Sequence, residues 1–391
     1  MRSKGPLRRN PSVLFAPGTD GYLAYDVEES CLHRLNASAA LIVELCDGTR
    51  EPEEVSSAVE PLLGAKGAEA AKEWLERALS QGLLLAESSP SSDGPSIPAA
   101  QATSLAATLR DQGQILAAFV CQHHATSLAS EDSAAWSNLA ELAHILGRRE
   151  DARDAYERFL VLCPNDAEIT HILASLRDEA PPPRAPDRCI RQLYARFAEF
   201  YEENMCGELD YRAPYLLSIA IREALGDRAS LNVLDLGCGT GLIAEHIRPL
   251  ANHLTGIDLS PEMVTRAQAS KLYDVLEVME ITEWLRRDDT PRFDLILACD
   301  TLIYFGDLRQ VIVPAASRIE NGGLLAFTVE DGDHAEGFRL TDSGRYTHTR
   351  DHISEVAEEA GMQIERITRQ VLRYEYGEPV TGLLAVLERV R

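Results

Sequence analysis

From residue 231 onward, short continuous apolar runs alternate with stretches whose apolar positions recur every three or four residues. "LNVLDLG" (231–237), "HLTGIDLS" (253–260), "DVLEVME" (274–280), "RFDLILACD" (292–300) and "GGLLAFTVE" (322–330) read as buried strands. "TGLIAEHIRPL" (240–250), "PEMVTRAQAS" (261–270, Pro261 in its first turn) and a segment near 307–319 read as the helices between them. This alternation predicts an α/β fold built on an open, doubly wound parallel sheet. Ligands of such sheets bind at the carboxyl ends of the strands, near the switch in strand order.

The N-terminal pattern is different. "SVLFA" (12–16), "YLAYDV" (22–27) and "SCLHRL" (30–35) are extended runs, with "PGTDG" as the turn between the first two. Asn36 then caps an apolar helix that stops at Gly48, and helices over 51–63 and 67–80 follow. Three strands before three helices predict a small α+β, winged-helix-like module. "ESSPSSDGPSIPAA" (87–100) and "APPPRAP" (180–186) read as linkers and divide the chain into 1–88, 100–178 and 188–391. In the middle segment, a 34-residue unit starting at Ser133 puts Trp136, Leu139, Ala140, Gly147, Ala152, Tyr156 and Pro164 on tetratricopeptide positions. One period earlier, Leu105, Ala106, Gly113, Ala118 and Ala125 repeat the pattern, and "EITHILASL" is expected to cap the array. Phe159 departs from the small residue usual near the end of the second helix. Such an array serves as a partner-binding surface or as a spacer and dimerisation element, and a homodimer is one assembly it allows.

Charge removes some classes of partner. A formal net charge of −24 argues against a nucleic-acid or anionic-membrane surface. The 8 cysteines form no C-x-x-C pair and lie mostly in apolar runs, as expected for reduced core residues of a cytoplasmic protein with no metal site. "CQHH" (121–124) reads as packing rather than metal ligation. No run reaches the length of a membrane-spanning helix, and neither a signal peptide nor an anchor is visible.

The chemistry concentrates at "VLDLGCGTG" (233–241). A dinucleotide fingerprint requires G-x-G-x-x-G, whereas Gly237, Gly239 and Gly241 come at every second position. The early third glycine suits a turn passing beneath a flat nucleoside better than a pyrophosphate cradle. Asp235, just before the turn, would repel phosphate but could hold an ammonium group or a water. Asp258 ends the next strand, where a carboxylate can accept both hydroxyls of a ribose. Glu280 ends the third strand, where an acceptor suits an adenine amino group. Together these residues favour S-adenosylmethionine as cofactor. Asp300, at the end of the fourth strand, faces the expected reaction space.

Two resemblances sharpen this reading. "VLDLGCGTGLIAEHI", "LTGIDLSPEM" and "FDLILACDTLIYFGDL" resemble class I S-adenosylmethionine-dependent methyltransferases, and residues 190–391 are similar to predicted methyltransferases carrying tetratricopeptide repeats. The resemblance implies a Rossmann-like, seven-stranded sheet whose last strand is antiparallel, with runs near 363–373 and 380–388 as its final hairpin. It also implies cofactor contacts at Asp235, Gly237, Cys238, Gly239, Gly241, Asp258, Leu259, Met263, Glu280, Ile281 and Asp300, with Tyr211 and Arg212 closing over the methionine end. Where the family usually has Asp, this chain has Glu280. Residues 10–55 resemble the PqqD-like domains, or recognition elements of ribosomally made peptides, most specifically in "LNASAALIVELCDGTREPEEV". That likeness implies a leader peptide adding a strand at the edge near Cys31–Arg34, beside a groove helix at 68–79.

The expected reaction is methyl transfer to a precursor peptide captured through its leader by residues 1–88. Substrate-side candidates are Tyr304, Arg345, Tyr346, His348 and Arg373. A carboxylate acceptor needs a cationic clamp rather than a base, and Arg345 with Arg373 offer one, so O-methylation of a peptide carboxylate is the expectation. Two other readings stay open: a small-molecule methyltransferase with an accessory interaction domain, and a non-catalytic peptide-binding adaptor.

Overall fold

The computed structural model describes residues 5–86, 97–177, 181–197, 201, 205, 209–289, 291–375 and 377–390. The Ser/Pro-rich stretch 87–96 and parts of the 198–208 lead-in lie outside the described residues. The chain parts into two compact units, Met1–Pro164 and Asn165–Arg391.

In the first unit, β1 (Leu7–Arg9) precedes the three predicted strands β2 (Val13–Gly18), β3 (Gly21–Asp26) and β4 (Cys31–Asn36). The latter three form an antiparallel sheet in that order, so β4 is an outer strand. The Asn36 side chain accepts the Ala39 N–H at 2.9 Å and starts α1 (Ala37–Leu45). The two helices expected at 51–63 and 67–80 are one run, α2 (Pro52–Ser80), broken at Gly64, whose φ of 71° leaves the helical region. After α2, β5 (Leu84–Ala86) pairs antiparallel with β1. Strand alternation splits the side chains between two faces. Val13, Ala24 and Leu35 join the core with α1 and α2. Leu14, Ala16, Leu23 and Tyr25 are buried as well, since α3 (Ala99–Asp111) is followed by α4 (Ile115–Leu128), which packs on β2 and β3.

α5 (Ser133–Ile145) and α6 (Arg149–Leu162) pair as α3 and α4 do. Ala118, Ala140 and Ala152 are fully buried, as close helix crossing requires. Within "CQHH", Cys121 is buried, Gln122 donates to the Ala135 carbonyl at 3.0 Å, and a His124 ring nitrogen lies 3.0 Å from the Ile97 carbonyl. These are packing roles, and no cluster fit for a metal occurs among the described residues. No described helix is long and apolar enough to cross a membrane.

The second unit opens with α7 (Ala167–Leu176), α8 (Asp187–Phe197) and α9 (Ala213–Leu225). The strands β6 (Leu231–Leu236), β7 (Ala251–Asp258), β8 (Val275–Val278), β9 (Phe293–Ala298) and β10 (Ile319–Asp331) follow at the predicted places. Between them lie α10 (Ala244–Ile247), α11 (Pro261–Ser270), α12 (Ile281–Leu285) and α13 (Arg309–Ser317). The short strands β11 (Phe338–Leu340) and β12 (Tyr346–His348), α14 (Arg350–Glu359), β13 (Met362–Glu375) and β14 (Glu378–Arg389) complete the unit. The main sheet runs β8-β7-β6-β9-β10-β14-β13. β6 to β10 are parallel and β14 runs antiparallel to β10. The order switches beside β6, which places a crevice at the carboxyl ends of β6, β7 and β9.

Two expectations change. The helix read at 240–250 shrinks to α10 and a single 3-10 turn, because the glycine turn occupies the backbone up to Ile243. The Pro-rich stretch is no free linker. Gly306 N–H donates to the Pro183 carbonyl at 2.9 Å, Ala185 N–H donates to the Tyr304 carbonyl at 2.8 Å, and the Tyr346 hydroxyl donates to the Pro182 carbonyl. Residues 182–185 therefore form an extended strap laid over the loop that follows β9.

Candidate active site

The turn after β6 shapes the crevice. Gly237 has φ 71°, and a Cβ there would collide with the Thr301 side chain. Gly239 has φ 54°, and a Cβ there would meet no atom within 4 Å, so its open face belongs to the cleft. Asp258 ties this turn to the end of β7. Its Oδ2 accepts the Gly239 N–H at 2.8 Å and its Oδ1 accepts the Ser260 N–H at 2.8 Å. Each oxygen keeps a lone pair for a ligand hydroxyl. Burial raises the Asp258 carboxyl above its usual range against the pull of these N–H groups.

The cleft holds about 610 Å³ of open space, part of it continuous with solvent. Leu259, Met263, Ile281, Tyr304 and Phe305 give it apolar walls, while Asp258, Glu280 and Asp300 supply acids and Arg184 the single cation among the described lining residues. Such walls suit a flat base carrying a cationic tail and oppose a pyrophosphate. Cys238 lines an adjoining recess with Tyr201, Tyr211 and Thr240. The Tyr211 hydroxyl lies 3.6 Å from the Cys299 sulfur.

A second cavity of about 700 Å³ shares Tyr194, Tyr201, Asp300 and Tyr304 with the cleft and adds Ile303, Arg345, Arg373 and Glu375. The Tyr194 and Tyr304 hydroxyls are 2.8 Å apart where the two spaces meet. Burial pushes Tyr304 up to about 12 and Tyr194 well above its ordinary value, so neither is a base near neutrality.

Several candidates sit elsewhere or act otherwise than expected. Asp235 lies outside the lining residues of both spaces. It is buried behind the turn, where its Oδ2 accepts the Tyr273 hydroxyl at 2.7 Å. Gly241 likewise backs onto the Tyr273 ring. The Glu280 Oε2 caps α12 through the Glu283 N–H at 2.8 Å, and its Oε1 lies 3.5 Å from Arg184. Arg212 is an exposed partner of Asp210, set over the Tyr374 ring, and does not line the cleft.

Tyr346 and His348 are not acceptor-binding loop residues. β12 joins the end of β10 as a parallel strand, and alternation turns both side chains into the interior. His348 Nε2 lies 2.9 Å from the Phe305 carbonyl, and burial lowers its pKa to about 4, so it is a packed neutral ring. Arg345 and Arg373 do reach the second cavity, but not as a free clamp. Arg373 bonds Asp300 at 2.8 Å, Glu375 at 2.7 Å, and Glu330. Arg345 bonds Glu330 at 2.6 Å and Glu375 at 2.7 Å.

Sequence reasoning missed Arg184, Ile190, Tyr194, Tyr201, Cys299, Thr301 and Phe305 in the cleft. A proline-rich run reads as a spacer, and aromatics in an amphipathic helix read as packing, so neither carries a signal for Arg184 or Tyr194.

The strand order and the crevice at its switch define a class I methyltransferase fold. In agreement, residues 197–366 match the methyltransferase domain family and residues 133–176 match a tetratricopeptide repeat. The family match thus covers the strands β6 to β12 that form the crevice. The chain is similar to human methyltransferase-like protein 27, 34% identical over 34% of this chain and 55% of that protein. It is similar also to a malonyl-[acyl-carrier protein] O-methyltransferase of Erwinia billingiae, 31% identical over 37% of this chain and 55% of the relative. The chain spans about half the length of these relatives. Among solved structures, magnesium protoporphyrin IX methyltransferase from Synechocystis PCC 6803 with bound S-adenosylhomocysteine aligns with 16% identity and a TM-score of 0.42, covering 52% of this chain and 100% of that one.

Proposed function

We propose that the chain is an S-adenosylmethionine-dependent methyltransferase acting on a ribosomally made precursor peptide that its N-terminal unit holds. The carrying observation is the Gly237–Gly239 turn, whose open face meets a cleft walled by Asp258, Leu259, Met263, Glu280 and Ile281. These residues would hold S-adenosylmethionine, which supplies a methyl group on a cationic sulfur. Tyr194, Tyr201 and Tyr304 wall the junction between the cleft and the second cavity, so their part is to position the acceptor and exclude water.

The peptide reading is supported by the first sheet. Its two faces are covered by α1 with α2 and by α4, which leaves the outer edges of β2 and β4 as places where an extended peptide can pair, the β4 edge being the one that the resemblance implies. The relative named for a malonyl-[acyl-carrier protein] substrate supports transfer to a large, carried acceptor.

Titration calorimetry with S-adenosylhomocysteine tests the donor site. One site per chain is expected, lost in Asp258→Ala while thermal unfolding stays cooperative. Removing the carboxylate leaves two buried N–H donors unpaired, at about 1–3 kcal/mol each. Incubation with labelled donor and the short peptides encoded beside this gene tests the acceptor. Label should appear on a peptide and decline when the peptide's leader half is removed. Transfer indifferent to the leader would favour a small-molecule enzyme.

A further inference from the structure

The cavities meet at Asp300, which lines both. Its backbone has φ 56°, uncommon outside glycine, and its N–H is held by the Thr328 hydroxyl oxygen at 2.8 Å. Oδ2 bonds Arg373 at 2.8 Å, whereas Oδ1 is buried and has no hydrogen-bond partner. The side chain is only 7% exposed. An unpaired buried carboxylate oxygen is costly, and a group held so at a junction of two cavities is built to receive a donor.

The neighbourhood fixes the kind of donor. Arg345 and Arg373 bring two positive charges, and Asp300, Glu330 and Glu375 bring three negative ones. The cluster is net anionic when ionised, and both guanidinium groups are already paired. It repels a carboxylate acceptor and attracts an N–H or O–H. Burial also raises the Asp300 carboxyl above its ordinary range, which makes it a better proton acceptor.

We propose that Asp300 Oδ1 receives the proton-bearing nucleophile of the acceptor, a hydroxyl or an amine. This rests on the methyltransferase reading above and replaces the carboxylate acceptor expected from sequence. The heteroatom's lone pair forms the new bond to the methyl carbon. The carbon–sulfur bond breaks with its electrons left on sulfur, and the acceptor's proton passes to Asp300 Oδ1. Arg373 is the positioning residue that holds Oδ2 so that Oδ1 faces the junction.

The test needs no identified acceptor. Sinefungin carries an ammonium group where S-adenosylmethionine carries its methyl sulfonium, and S-adenosylhomocysteine carries neither. The wild-type protein should bind sinefungin about threefold or more tighter than S-adenosylhomocysteine, as the attraction between a buried carboxylate and an ammonium about 5 Å away allows. Asp300→Asn should lose that preference while S-adenosylhomocysteine still binds measurably. Asn also tolerates the positive φ. A preference unchanged in the variant would overturn the proposal. A crystal of the wild-type complex gives a second measurement free of any variant. The sinefungin nitrogen stands where the transferred methyl does, short of the acceptor heteroatom, so it should lie within about 5 Å of Oδ1 on the side facing the second cavity, and a separation beyond about 7 Å would overturn the proposal. Failure of the wild-type protein to bind S-adenosylhomocysteine would instead sink the methyltransferase reading itself.

Discussion

Asp235 shows how a single residue can be read correctly for identity and wrongly for place. Its position after an apolar strand and before the glycines marked it as special. Nothing in the local sequence revealed that Tyr273, 38 positions away, closes over it with a hydrogen bond. Burial lifts its pKa from 3.8 to about 7, and the Tyr273 bond only partly opposes this. The native state thus holds this proton more tightly than the unfolded chain does. The stabilising contribution is complete below about pH 4 and disappears as pH rises through about 7. Asp235→Asn removes the slope. In thermal melts without ligand, the variant should gain on the wild type between pH 5 and pH 8. The gain is at most a few kcal/mol, because a tenfold change in proton affinity is worth about 1.4 kcal/mol. Equal wild-type and variant pH profiles would show that Asp235 ionises freely. The same residue-scale blindness applied to Arg373 and Arg345. Their charge was visible, but the carboxylates that neutralise them come from just after β9, from β10 and from the end of β13.

At the scale of elements, period and punctuation carried the fold. The strands β6, β7, β9 and β10 are apolar enough to be buried on both faces, and Pro261 marked the start of α11, which the Ser260 side chain caps. Short elements stabilised by remote partners were illegible: β12 has three residues and exists because β10 extends beside it. The 182–185 strap has no periodicity and takes its shape from the loop it lies on. The outer strand β4 was legible, and it carries a direct test. In an antiparallel pair, the N–H groups of successive residues point alternately toward the neighbour and away from it. His33 and Arg34 are adjacent on β4, opposite Ala24 and Leu23. Proline at one of them therefore removes an N–H bonded to β3, and proline at the other removes an outward N–H. One variant should lose stability. The other should melt near the wild type yet bind leader peptide about tenfold more weakly in fluorescence anisotropy. If both fold and both bind normally, the peptide does not pair with this edge.

For the whole molecule, the division after Pro164 separates the cleft from the outer strand to which the proposed function assigns the peptide. Every described residue lining the cleft and the second cavity falls at or beyond Arg184. The edge strand and the helices around it fall before Pro164. A chain of residues 165–391 should therefore bind S-adenosylhomocysteine within about threefold of the full protein, since no lining residue is removed. Its action on the peptide should suffer differently. A leader held in the same chain presents its core at an effective concentration on the order of millimolar, and cutting the tether returns the encounter to bulk solution. KM for the full-length peptide should rise by about 10²-fold or more, with kcat largely retained, because the groups at Asp300 and the tyrosine junction are untouched. The methyl placed on that peptide should withstand alkali, as an ether or methylamine does and a methyl ester does not. A fall in kcat at unchanged KM would mean that the N-terminal unit shapes the catalytic site rather than feeding it, and the division of labour drawn from the sequence would have to be abandoned.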